Sequence, residues 1–109
     1  MTTVLRQGDV CLISVGEVPA GATAQPPTGN KVVLALGEVT GHHHRFEFMD
    51  TSHNAKLYVA SGGARYLHVT EQPADLLHEE HSTVRVPPGV YLLPPQVEYT
   101  PAELRLVKD

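Results

Sequence analysis

Glycine and proline set the grain of this chain. Nine of each fall within 109 residues. They break the sequence into short segments and leave little room for long helices. Between the breaks lie runs with the two-residue period of a strand. Val10 to Val15 places Val10 and Leu12 on one face and Cys11, Ile13 and Val15 on the other. Both faces are mostly apolar, so the strand is predicted to be covered on both sides. Lys31 to Leu36 is a second run of the same kind, and His42 to Met49 a third.

Lys56 to Ala60 and Ala64 to Val69 flank Ser61-Gly62-Gly63 and read as a hairpin. Residues 81–86 read as extended. Pro87-Pro88-Gly89 reads as a turn, after which Val90 to Leu93 is predicted to pair back. Segments 19–30, 50–54 and 71–75 carry turn and loop residues. Thr100-Pro101-Ala102-Glu103 has the form of a capping box, so 100–107 is either a short C-terminal helix or, through its LRLV, a last strand. Seven or eight short strands at this spacing predict an all-β fold. It would be a single small β-barrel or sandwich over residues 1–109.

Composition narrows the function. Eight basic and twelve acidic residues give a net charge of −4. Aromatic content is 6% with no Trp, so neither a basic surface nor a stacking platform for nucleic acid is evident. No run approaches the roughly 20 apolar residues that span a membrane. The N-terminus lacks the pattern of a secretory signal, so a cytoplasmic location is expected. Cys11 is the sole cysteine, which excludes an internal disulfide and an all-cysteine zinc site. In an apolar strand it reads as an inert core residue and not as a thiolate ligand or nucleophile. A chain this small buries a limited fraction of its surface, so a structural metal would help it.

Histidine is the departure from an ordinary composition: seven residues, three of them consecutive. Strand alternation puts His42, His44, Phe46 and Phe48 on one face and His43, Arg45 and Glu47 on the other. The two phenylalanines mark the first face as the inner one, so His42 and His44 are predicted to point inward as candidate metal ligands. A second cluster, His78-Glu79-Glu80-His81, adds His78 and His81 as candidates. Three residues apart, they converge only on a bend or a helical turn. Alternation along 81–86 argues against His81 facing the core. The spacing is not that of the zinc-protease HExxH motif. Glu80 is the preferred candidate for general acid–base work, with Glu79 as the other carboxylate of the turn. His53 reads as exposed, and His68 either as half-buried in its strand or as a residue that supports a metal-ligating imidazole.

Gly37-x4-His42-x-His44 with Glu47, and later Pro88-Gly89-Val90-Tyr91, resemble a degenerate form of the two cupin motifs. That resemblance implies a small β-barrel with His42 and His44 as metal ligands. It also implies a Glu ligand, but Glu47 stands too near and on the opposite face. Where cupins carry a later His, this chain has Tyr91 and Leu92. Over most of its length, through GDVCLISV, GEVTGHHHR, LLHEEHSTVRVPPGVY and EYTP, the chain resembles a family of small uncharacterised bacterial and phage proteins, which implies no activity.

The residues thus predict a histidine-rich metal-binding β protein that binds a divalent transition metal. Zinc is foremost, and iron, nickel, copper or cobalt are also suited to imidazole. Its catalytic form would hydrolyse a small polar or phosphorylated substrate. The alternative is a non-catalytic accessory module whose histidines are structural or lie at an interface. A homodimer fits both readings.

Overall fold

The computed structural model describes residues 3–8, 10–27, 29–36, 43–48 and 54–94. All regular structure among them is β: β1 (Val4–Gln7), β2 (Val10–Val15), β3 (Thr23–Gln25), β4 (Lys31–Leu36), β5 (His43–Glu47), β6 (Ala55–Val59), β7 (Arg65–Val69), β8 (Ala74–Leu76), β9 (Val84–Val86) and β10 (Gly89–Leu93). No helix of the described residues is long and apolar enough to cross a membrane. The 100–107 segment lies outside the described residues, as do His42, His53 and most of the predicted 50–54 turn.

Six strands form one antiparallel sheet in the order β1-β2-β10-β7-β6-β3. Two antiparallel pairs, β4-β5 and β8-β9, complete the set. The described strands do not close into a barrel, since β1 and β3 are the two ends of the large sheet. The three sheets instead share one apolar core. Leu12, Leu57, Leu67, Val69 and Leu93 enter it from the large sheet, Val32, Leu34 and Phe46 from β4-β5, and Ala74, Leu76 and Val86 from β8-β9. A small two-stranded ribbon is marginal in water by itself, so each pair depends on this shared burial. Phe46, fully buried, contributes on the order of 1.5–3 kcal/mol by leaving water.

The β6–β7 hairpin forms as the alternation predicts, turning through Gly62 and Gly63 at φ 92° and 95°. Other expectations are corrected. Val10 and Leu12 are buried, but Cys11 and Ile13 are only half-covered and Val15 is exposed, so β2 has one core face. Val90 to Leu93 does not pair back on the preceding segment. As β10 it lies between β2 and β7, while β9 pairs with β8. Residues 81–83 are not extended strand, which begins at Val84.

Three short strands fall where composition predicts none: β1 before Gly8, β3 in the Pro-rich loop and β8 in the Pro73 break. Each is three or four residues long. At that length, pairing with a neighbour decides the conformation more than intrinsic preference does.

Two irregularities interrupt the regular pairing around β4 and β5. The β4-β5 register shifts between Val33 and Ala35, so Leu34 is the extra residue of a bulge opposite the Arg45–His44 step. On the other side of β5, Arg45 and Leu77 form an isolated antiparallel bridge, with N–H to O distances of 3.0 and 2.8 Å. That bridge ties the segment after β8 to the histidine strand.

Candidate functional site: an imidazole cluster clamped by Gln7

The alternation along β5 holds over the described residues. His44 and Phe46 are buried, at 1% and 0% exposure, while His43 and Arg45 are half-buried and Glu47 is exposed. His44 is therefore buried on the same face of β5 as Phe46. A buried polar ring needs partners, and the pattern of the sequence around His44 offers none.

The partner is Gln7. It is the last residue of β1, on the face that alternation assigns to Leu5, and it is 2% exposed. Its Nε2 donates to Leu76 O at 2.8 Å and to Ser82 O at 2.9 Å. Both amide protons are then engaged, so the orientation of the amide is determined and Oε1 is the acceptor. His44 Nδ1 stands 2.9 Å from Oε1. Since Oε1 has no proton, His44 Nδ1 must donate. A neutral His44 then carries its remaining lone pair on Nε2, the tautomer in which an imidazole ligates a metal while its other nitrogen is held.

The second cluster lies on a bend, not on a strand or a helix. His78 is half-buried. Its Nδ1 accepts the backbone N–H of Glu80 at 3.0 Å and, more weakly, that of His81 at 3.4 Å. The ring caps its own turn, much as an N-cap side chain does. The bend brings His81 back against Gly8, whose place in the tight β1–β2 turn requires φ +57°. A Cβ on Gly8 would stand 2.5 Å from His81 Nε2, so the absence of a side chain makes room for the ring.

The three rings meet. Centroids of His44 and His78 are 4.4 Å apart, His78 and His81 4.6 Å, and His44 and His81 5.9 Å, the last pair nearly parallel at 14°. The strand argument against His81 does not apply, because 81–83 is not strand. Of the four histidines singled out from sequence, three are brought together here and His42 lies outside the described residues.

The loop carrying His78 and His81 is held at both ends. Gln7 grips Leu76 O and Ser82 O, and the Arg45–Leu77 bridge fixes its start. Glu79 adds a third tether: Oε1 accepts the His43 N–H at 3.0 Å, and Oε2 lies 3.1 Å from Arg45 Nη1. The His43 N–H first, then the backbone N–H of Glu79 itself and the charge of Arg45, hold the Glu79 carboxyl below its ordinary value. Glu79, not Glu80, is thus the carboxylate bound to the histidine strand. The exposed Glu80 contributes its backbone N–H to His78. Glu47 points away, its carboxylate 2.7 Å from Arg45 Nε, so it does not join His44 as a cupin-type ligand.

Chemically, the bond to Gln7 fixes which nitrogen of a neutral His44 carries the proton, Nδ1, and which carries the lone pair, Nε2. The His78 Nδ1 lone pair is taken by the turn, which leaves the proton of a neutral His78 on Nε2. Among the described residues no group of three or more His, Cys, Asp or Glu side chains is positioned to hold a metal ion. Imidazole nitrogens are the right donors for zinc and its neighbours. Using His78, however, requires its ring to give up the Glu80 and His81 N–H groups.

Gln7 is the residue missed from sequence. The signal was present: Leu5 and Gln7 pair with Leu12 and Val10 on the next strand, which puts a polar amide at a core-facing position.

Comparison with known proteins gives one family. A profile described as a domain of unknown function (DUF8820) matches residues 6–96. No curated protein and no solved structure matches the chain. The matched span includes Gln7, His44, His78 and His81.

Proposed function

The chain belongs to the DUF8820 family, and from its side chains we propose that it is a metal-binding β module whose ion is held on the His44–His78–His81 cluster. The observation that carries this reading is the meeting of three imidazoles from two separate segments, one of them buried with its tautomer selected by Gln7. Zinc is the foremost ion, with iron, nickel or copper as alternatives suited to the same donors. His44 Nε2 is the anchor. His78 joins by turning its ring away from the Glu80 and His81 N–H groups, and His81 joins from the surface of the bend. His42, on the predicted inner face, is the candidate fourth ligand.

The finer, catalytic form of this reading assigns Glu80 to proton transfer during hydrolysis of a small polar or phosphorylated substrate. Its support is position alone: Glu80 lies on the turn that His78 caps. Glu80→Gln is then expected to abolish turnover while leaving bound metal unchanged.

Elemental analysis and calorimetric titration test the metal. Protein grown with added zinc is expected to carry about one equivalent, and His44→Ala less than about a tenth. Zinc at one hundred times its dissociation constant is expected to stabilise the fold by about 2.7 kcal/mol. That corresponds to a rise in Tm of roughly 10–20 °C for a domain of this size. Less than about a tenth of an equivalent of any transition metal in the wild type, with no shift on adding zinc, refutes the reading.

The capping role of His78 favours a second reading, a non-catalytic interaction module in which the imidazoles shape the loop. In that case His78→Ala changes the melting temperature equally with and without zinc.

A further inference from the structure

Away from the imidazole cluster, the β6–β7 turn carries a feature that the metal reading does not use. Arg65, the first residue of β7, is half-buried. Its Nη1 donates to Leu34 O at 2.7 Å. Leu34 is the bulged residue of β4, so its carbonyl is open to a side-chain donor, and Arg65 reaches from β7 to take it. That bond uses one donor of a five-donor fork. Among the described residues Arg65 has no carboxylate partner, whereas Arg45 has two and Arg85 one. Burial pushes its guanidinium below the ordinary arginine value.

A cation partly withdrawn from water without a counter-charge loses part of its hydration with nothing to offset it. This one borders a cavity of about 250 Å³ lined by Gly62, Gly63, Ala64, Arg65 and Leu93. Gly62 and Gly63 hold left-handed backbone, and a Cβ on either would meet nothing within 4 Å. The wall beside the guanidinium is therefore bare backbone, open to close approach.

We propose that this cavity is a binding site for a small molecule with an oxyanion head, a carboxylate or a phosphate, received by Arg65 against the Gly62–Gly63 turn. With one Nη1 proton held by Leu34 O, the Nε–Nη2 edge of the fork is the geometry that matches two oxygens of one anion. Leu93 and Ala64 provide a short apolar wall for whatever carries the head. The volume lies below the roughly 300–1,000 Å³ of sites for drug-sized ligands, which limits the occupant to a small metabolite.

The test is NMR titration of the full chain, labelled with nitrogen-15, at constant ionic strength. Inorganic phosphate is one probe and acetate the other. The response tells which head the site prefers, and saturation by either supports the proposal. Saturable shifts are expected at the amides of Gly62, Gly63 and Ala64 and at Arg65 Nε, with Val69 unmoved. Arg65→Lys keeps the charge without the fork and is expected to bind at least about tenfold more weakly. Arg65→Met is expected to lose saturation altogether. Should Arg65→Met fail to fold, Ala64→Asp carries the test, because Ala64 is exposed and a carboxylate there competes with the ligand for Arg65. The proposal is overturned if neither probe gives saturable shifts in the wild type, or if Ala64→Asp and Arg65→Lys titrate as the wild type does.

Discussion

Replacing Gln7 by leucine removes both ends of the amide while filling a similar space. Three groups lose their partner: His44 Nδ1–H, Leu76 O and Ser82 O. The Ser82 bond is only part-buried, so water can replace the amide there. The other two lie in the buried part of the site. Stranding a buried polar group costs roughly 1–3 kcal/mol, so the two together cost about 2–6 kcal/mol. Better burial of the leucine side chain returns about 1 kcal/mol.

A net loss of about 1–5 kcal/mol is a large part of the 5–15 kcal/mol that holds a typical domain together. Each kcal/mol of that loss lowers Tm by roughly 4–8 °C. Thermal and urea denaturation of metal-free protein at neutral pH measure this directly. Nitrogen-15 NMR of the histidines gives an independent readout: His44 is expected as the Nδ1–H tautomer in the wild type and as a mixture in Gln7→Leu. Gln7→Glu keeps an acceptor for His44 but turns a carboxylate toward two carbonyl oxygens, so it too is expected to destabilise. A loss below about 1 kcal/mol in Gln7→Leu, with the His44 tautomer unchanged, refutes the assignment of the amide as the clamp.

Gly8→Ala combines a left-handed φ of +57° with a Cβ 2.5 Å from His81 Nε2. It is expected to cost about 1–2 kcal/mol in backbone strain and to drive His81 off the cluster, seen as a change in its ring chemical shifts with those of His68 unmoved. The Glu79 carboxyl is held below its ordinary 4.5 in the folded chain. The unfolded chain therefore takes up that proton at higher pH, and the stability Glu79 contributes is complete above about pH 4.5 and lost as pH falls through the lower folded value. Urea midpoints measured downward from neutral pH are expected to fall less steeply in Glu79→Gln than in wild type, and equal slopes would exclude this tether. Phe46→Ala empties a fully buried position and is expected to cost about 3–5 kcal/mol by chemical denaturation. A smaller loss would mean the three sheets do not share one core.

The proposed sites differ in how far the sequence reveals them. The inward face of β5 is legible because a strand's side chains alternate without reference to anything else, and Phe46 and Phe48 mark which face is apolar. The bend at 78–81 is not legible to the same degree. A His-x-x-His spacing fits a helical turn, an extended chain or a bend, and each sends His81 elsewhere. The bend is decided by Gln7, distant in sequence, and by Glu79, whose partners lie on the distant β5. Arg65 shows the same division. Its place at the head of a hairpin strand follows from Gly62-Gly63, but its role at the Leu34 carbonyl depends on a bulge in a different sheet.

Local information was sufficient for the all-β character, the β6–β7 hairpin and the inward direction of His44. Each rests on interactions among residues a few positions apart, such as backbone propensity, side-chain period and glycine in a tight turn. The tertiary structure decided that β10 is a central strand, that three sheets share one core without closing, and that two histidine clusters meet. Those outcomes depend on pairing between distant segments. Their free energy comes from shared burial and from hydrogen bonds that no single segment can complete.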